Sequence, residues 1–197
     1  MRTQSLRYRR MMVLEALAGR SAQARRVQII PGIDKDGALY PIEKMKAHRV
    51  GALHLAVSVF VMSGDALLLQ QRAAGKYHCG GLWANTCCSH PSWGETPADS
   101  AHRRLREELG LSIGLSACNV LDYAADVTNG LREHERVHIF RGEVERSALQ
   151  LDLDPDEVSA VRWMTLRELQ QARRASPEGF APWFRIYLDR WDELGLS

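Results

Sequence analysis

Thr96-Pro97-Ala98-Asp99-Ser100-Ala101-His102-Arg103-Arg104-Leu105-Arg106-Glu107-Glu108-Leu109-Gly110-Leu111 is the stretch whose conformation decides the fold. It opens as a helix should, with threonine as the cap, proline at the first helical position and aspartate at the third. Ala98, Ala101, Leu105 and Leu109 then recur on one face, and Gly110 stops the helix. Charge crowds the rest: Glu95 precedes the helix, and Arg103, Arg104, Arg106, Glu107 and Glu108 fill its second half. Such a surface can be a solvated face laced with Arg–Glu pairs one turn apart. It can also present carboxylates to a divalent cation.

Just upstream, Asn85-Thr86-Cys87-Cys88-Ser89-His90-Pro91-Ser92 places a doubled cysteine next to a metal-ligand type. If residues 82–90 run extended, Cys88 and His90 point to one face and Cys87 to the other. One cysteine then shares the histidine's pocket while its neighbour packs away from it. The plainer alternative is two core cysteines and a surface histidine, because a free cysteine is usually a small hydrophobe.

Working outward, residues 27–30 start a strand, and the turn signal Asp34-Lys35-Asp36-Gly37 precedes a second at 38–42. Residues 53–62 form a long apolar run rich in β-branched side chains, closed by Ser63-Gly64-Asp65, with 66–71 as hairpin partner. A polar, glycine-bearing loop fills 72–81. After the central helix, 120–127, 135–145 and 157–164 read as strands, and 165–174 and 182–194 as closing helices. The pattern predicts an α/β protein of the layered α+β kind, a mixed β-sheet sandwiched between helices, and not a doubly wound βαβ fold.

With 197 residues, 45% of them hydrophobic, the chain can bury one adequate core. Four cysteines without a signal peptide predict reduced thiols and a cytoplasmic setting. No apolar run approaches the roughly 20 residues that span a bilayer, so no membrane is expected. The net charge of +2 conceals a split: residues 1–26 hold seven arginines and one glutamate, a net +6, leaving −4 for residues 27–197. Such an arm can bind nucleic acid or serve as a presequence. The expectation adopted is a poorly ordered extension over 1–26 with no nucleic-acid role, in which 11–18 is too short for a stable helix, followed by one domain over 27–197 that acts as a monomer.

Metal-ligand types are scattered through the chain. His48 and His54 flank the start of the long apolar strand, and His90 follows the cysteines. Glu133 and Glu135 lie two apart, so period-2 alternation puts both carboxylates on one face and His134 on the other. Three imidazoles and two carboxylates suit Zn²⁺, Mn²⁺ or Fe²⁺, although spacing alone leaves their convergence open.

Counted back from Gly110, the helix resembles the Nudix box, G-x5-E-x7-R-E-U-x-E-E-x-G-U with U a bulky apolar residue. Glu95, Arg103, Leu105, Glu107, Glu108, Gly110 and Leu111 match; Ser89 replaces the first glycine and Arg104 a glutamate. Taken with Glu43-Lys44, His54-Leu55-Ala56, Gln71-Arg72-Ala73, Leu82–Pro91, Glu133-His134-Glu135 and Pro182-Trp183, the chain over about 27–190 resembles the type I isopentenyl-diphosphate Δ-isomerase family, a Nudix-fold group. The Cys-His block is the specific part of this likeness; the glutamate-rich box marks only the superfamily.

The resemblance implies a reaction in isoprenoid biosynthesis that interconverts isopentenyl and dimethylallyl diphosphate by antarafacial protonation and deprotonation through a carbocation-like state. Cys88 and Glu135 are then the two proton-exchanging partners, and Tyr123 assists beside Glu135. Trp183 corresponds to the family tryptophan that faces the cation, and Lys44, Arg72 and Lys76 are implied contacts to the diphosphate. One divalent transition metal (Mn, Zn or Fe) is implied on His48, His54, His90, Glu133 and Glu135, with Glu108 holding the Mg²⁺ that arrives with the substrate. The alternative is a Nudix pyrophosphohydrolase acting on a small diphosphate, disfavoured by Arg104 and by a Cys-His block it does not need. A catalytically dead Nudix-fold binding protein stands third.

Overall fold

The long apolar run forms β3 (His54–Ser63), with nine of its ten residues buried. A strand covered on both faces needs near-continuous apolar sequence, and the two faces bury different partners. Val57, Val59 and Val61 pack with Ala101, Leu105 and Leu109 of α2 (Pro97–Leu109). Ala56, Phe60 and Met62 pack with Trp183, Phe184 and Tyr187 of α4 (Pro182–Asp189). The layered architecture is therefore helix, sheet, helix. These statements come from a computed structural model that describes residues 27–196. The extension expected over 1–26, with its short helix at 11–18, lies outside the described residues.

Around β3 the sheet is mixed. On one edge β8 (Arg132–Glu143) runs parallel, in register from His54↔Glu135 to Met62↔Glu143, and β7 (Leu115–Asp126) pairs antiparallel outside it. On the other edge β3 meets three partners in turn, all antiparallel. These are β1 (Ile29–Ile33) at His54, β6 (Cys87–Ser89) over residues 57–59, and β4 (Ala66–Arg72) at the hairpin end. The sheet is completed by β2 (Leu39–Glu43) beside β1, with β5 (Trp83–Ala84) and β9 (Val158–Thr165) beside β4. A short helix α1 (Lys44–Val50) follows β2, and α3 (Leu166–Ala175) follows β9 with a Thr165–Glu168 capping box.

Helix α2 begins and ends as its sequence requires. The Thr96 hydroxyl accepts from the Asp99 N–H at 3.2 Å, and Gly110 caps the far end at φ 70°. A Cβ at Gly110 would also lie 2.7 Å from the Asp152 Cβ, so both conformation and crowding require glycine.

Three expectations are corrected. Residues 82–90 do not form one strand but two short ones, because β5 pairs with β4 and β6 with β3. Between them Asn85 and Thr86 turn their side chains inward: the Asn85 amide donates to the Val59 carbonyl at 3.1 Å, and the Thr86 hydroxyl bridges the Val61 N–H and the Leu68 carbonyl. The strand expected over 135–145 is Arg132–Glu143, which brings Glu133 into the ladder. The last helix ends at Asp189 and tightens into a separate turn at Trp191–Leu194. Among the described residues no helix is long and apolar enough to cross a membrane.

Candidate active site

β3 carries the site on both its edges. His54 sits in register with Glu135 of β8, while Ser58, four residues on, is in register with Cys88 of β6. At about 3.3 Å per residue this sets the two register positions roughly 13 Å apart along the strand, and both Cys88 and Glu135 line one cavity of about 210 Å³, whose wall also includes Arg104 and Glu108 of α2 and Trp183 of α4.

At the first end, donors converge. His48 lies in the last turn of α1, where its Nδ1 meets the Lys44 carbonyl at 2.8 Å; His54 Nδ1 meets the Ala52 carbonyl at 2.7 Å. A carbonyl can only accept, so both protons sit on Nδ1 and both Nε2 atoms present lone pairs. His54 Nε2 is 3.2 Å from His90 Nε2 and 3.6 Å from Glu135 Oε1, which is itself 2.9 Å from His90 Nε2. Together with His48 these donor atoms all lie within 4.8 Å of one another. Lone pairs and a carboxylate aimed at one point fit a bound cation, and the imidazole–carboxylate set fits a transition metal. Burial keeps His48 and His90 uncharged, lowering His48 to about 4 and His90 well below its ordinary value.

Glu133 is placed differently. Its donor atom groups with those of His48 and His78, not with the four-residue set. The Tyr123 hydroxyl lies 2.6 Å from Glu135 Oε2 and 3.0 Å from Glu133 Oε2, tying the carboxylates together. They titrate apart: burial and then the charge of Glu135 push Glu133 well up. Burial would also raise Glu135, but the adjoining His54 and His90 rings outweigh it and hold that carboxyl well below its usual range.

At the second end, Cys88 donates to Asn85 Oδ1 at 2.8 Å and lies 3.3 Å from the Ser58 hydroxyl, which is 3.0 Å from the Tyr187 hydroxyl. The Asn85 amide nitrogen is committed to two carbonyls, so its oxygen is fixed on the thiol. Burial pushes Cys88 up to about 12, and it stays a thiol through the neutral range. Cys87, fully buried, packs on the other side of the sheet under α2.

The mouth of the cavity is a charge network. Arg104 reaches Glu107 at 2.6 Å, Glu108 at 2.7 Å and Glu157 at 3.0 Å, and Lys76 also pairs with Glu157. The Lys44 ammonium lies 5.2 Å above the Tyr77 ring; burial, then repulsion from Lys76 and Arg104, lowers it to about 8. The Arg72 guanidinium rests 5.1 Å above the Trp183 ring, whose quadrupole attracts cations.

Cys88, His90, Glu108, Tyr123, Glu133, Glu135 and Trp183 line this cavity together with Lys44, Arg72 and Lys76, whereas His48 and His54 are fully buried behind it. Sequence reasoning missed His78, Tyr77 and Glu157 in the lining, and Ser58, Asn85 and Tyr187 beside the thiol. Ser58 did leave a signal, as a lone hydroxyl inside an apolar strand that must find a partner.

Residues 52–184 match the model of the NUDIX domain family. The isopentenyl-diphosphate Delta-isomerase of Cereibacter sphaeroides (strain ATCC 17029 / ATH 2.4.9) is 55% identical over 154 residues, covering 78% of this chain and 86% of that protein. The protein of the same name from Dinoroseobacter shibae is 51% identical over 160 residues, covering 80% and 90%. Among solved structures, a Deinococcus radiodurans protein superposes with a TM-score of 0.66 at 13% identity, covering 83% of this chain and 98% of that one, a likeness of fold alone. The mixed sheet between helices, the matched domain and the extent of identity agree: the chain belongs to the Nudix domain family, within its isopentenyl-diphosphate Delta-isomerase group.

Proposed function

We propose that the chain interconverts isopentenyl diphosphate and dimethylallyl diphosphate, the activity that names its relatives. The observation that carries this reading is that two groups able to exchange protons, the Cys88 thiol and the Tyr123–Glu135 pair, line one cavity. Moving the double bond requires a proton added at the terminal alkene carbon and another removed from the carbon next to the diphosphate-bearing one. Two groups are needed because these protons lie on opposite faces of the allyl unit. Each serves as acid in one direction and base in the other. In the forward direction Cys88 gives its Sγ proton to the terminal alkene carbon, and the ionised Glu135 carboxylate, hydrogen-bonded to the Tyr123 hydroxyl, takes the proton that leaves the other carbon.

Between them the alkene passes through a carbocation-like state, and the lining suits it. The Trp183 ring already supports one cation in Arg72, and a desolvated cation–π contact is worth roughly 2 kcal/mol, over tenfold in rate if felt only at the transition state. Lys44, Arg72 and Lys76 face the diphosphate. His48, His54, His90 and Glu135 would hold a divalent transition metal, Mn, Zn or Fe, with Glu133 beside them; when bound it supplies positive charge that fixes the Glu135 carboxylate. Glu108 would hold the Mg²⁺ that accompanies the substrate's diphosphate, which would supply positive charge there.

Arg104 explains why the diphosphate survives. Nudix-type hydrolysis uses a carboxylate cluster to hold several metal ions and activate water. Here a guanidinium replaces one carboxylate and neutralises Glu107, Glu108 and Glu157. The enzyme acts as a cytoplasmic monomer in this reading. Incubating the full chain with isopentenyl diphosphate and Mg²⁺ should yield dimethylallyl diphosphate with no phosphate set free. Phosphate or a monophosphate ester as the product would make it a pyrophosphohydrolase.

A further inference from the structure

We propose that His78 is a protein ligand of the metal centre, a fourth imidazole that reaches the ion from the Glu133 side. Its ring is 3% exposed, and neither ring nitrogen has a hydrogen-bond partner among the described residues. Its Nε2 stands 3.6 Å from Glu133 Oε1, too far for a hydrogen bond. The ring stacks on His48 at 5.8 Å and meets the Trp183 edge at 5.7 Å. A buried imidazole with both nitrogens unsatisfied is costly, so an occupant of the site has to complete it.

The backbone holds this ring where it is. Cys79 adopts φ 53°, a conformation that L side chains rarely take, and its N–H donates to the Thr128 hydroxyl at 2.9 Å. On the other side of His78, the Tyr77 carbonyl accepts from the Asn129 amide at 2.7 Å. The Arg72 guanidinium bonds the His78 carbonyl itself at 3.2 Å. The loop is thus clamped to the turn that leads into Glu133, and local strain of this kind persists where the surroundings enforce it.

Donor atoms of His78, His48 and Glu133 lie within 4.8 Å of one another. His48 also belongs to the set with His54, His90 and Glu135, and it has one free nitrogen, Nε2, because Nδ1 is committed to the Lys44 carbonyl. A single lone pair cannot serve two ions. The two groups therefore describe one centre reached from two sides, with His78 and Glu133 completing what the other four begin. A fourth nitrogen donor biases such a site towards Fe²⁺, Co²⁺ and Zn²⁺ over Mg²⁺ and Mn²⁺.

This inference rests on the metal-centre reading above, and one experiment separates the two. Full-length protein loaded with Co²⁺ should show four paramagnetically shifted, exchangeable imidazole N–H resonances, and His78→Ala and His78→Gln should each show three. In chelator competition both variants should bind Co²⁺ at least about tenfold more weakly, since loss of even an outer-sphere partner costs that much, while the metal-free melting temperature of His78→Gln stays near that of the parent. Three shifted resonances in the parent, with unchanged Co²⁺ affinity in both variants, overturn the inference but leave the centre intact. A raised KM for isopentenyl diphosphate with Co²⁺ affinity unchanged would give His78 to the substrate, and equally overturns it. No shifted imidazole resonance in any form would overturn the metal centre as well.

Discussion

Cys87 and Cys88 are neighbours with the same side chain, and β6 turns them into opposite layers of the molecule. On the α2 side, Cys87 is enclosed by Val57, Leu105 and Leu109, where its sulfur contributes packing. On the cavity side, Cys88 is held by Asn85 and Ser58 and opens onto the space shared with Glu135 and Trp183. The apolar layer fixes where β6 lies, and β6 in turn fixes where the thiol points. Chemistry follows from the layer a residue faces, not from the residue type.

Paired substitutions test this contrast most severely. Cys88→Ala should lower turnover by about a thousandfold, within the range for losing a positioned acid–base group, with little change in melting temperature. Cys87→Ala should do the reverse, keeping activity within about twofold while losing about 1–2 kcal/mol of stability to the cavity it leaves. Equal loss of activity in both variants, with folding intact, would break the contrast between the layers.

The cavity side should also respond to pH. Lys44 is charged below about 8 and neutral above it, since burial has lowered it from 10.5. The free enzyme's kcat/KM should therefore fall as pH rises through about 8, by about tenfold for one charge-assisted phosphate contact worth about 1.5 kcal/mol. A pH–rate profile of Lys44→Ala that kept the same inflection would assign it to another group. Smaller again is the effect expected of Ser58→Ala or Tyr187→Phe. Each removes one link behind the Cys88 thiol and should lower kcat about fivefold, for a neutral hydrogen bond worth about 1 kcal/mol, without moving KM. A KM change with kcat intact would place that hydroxyl in binding.

The smallest effect belongs to the basic segment. Deleting residues 1–24 should leave turnover nearly unchanged, because every residue given a role lies between Lys44 and Tyr187. A KM raised tenfold or more, about 1.4 kcal/mol of binding, and sensitive to salt, would put those arginines at the diphosphate.

How far the site was legible depended on periodicity. The cap and stop of α2 are local chemistry and were readable from Thr96, Pro97 and Gly110. Strand alternation separated Cys87 from Cys88 and set Glu133 with Glu135, because side chains on a strand have a fixed period of two. Helix α1 escaped notice: it has seven residues and no apolar stripe, yet it positions Lys44 and His48. His78 lies in a loop with no period at all, held by contacts to Thr128 and Asn129 some fifty residues away. Glu157 is tied to Lys76 and Arg104 by tertiary charge pairing that leaves no sequence pattern. Family resemblance supplied roles for Trp183 and Tyr123 that neither spacing nor composition contains.

The claim at the centre of this account is that two groups exchange protons across one cavity while the diphosphate stays whole. Turnover of isopentenyl diphosphate in D₂O, followed by ¹H and ³¹P NMR, tests it directly. The account predicts deuterium appearing in a methyl group of dimethylallyl diphosphate, dependent on Cys88, with both phosphorus signals remaining those of a diphosphate ester. Orthophosphate or a monoester in the ³¹P spectrum, with no deuterium entering carbon, would contradict it.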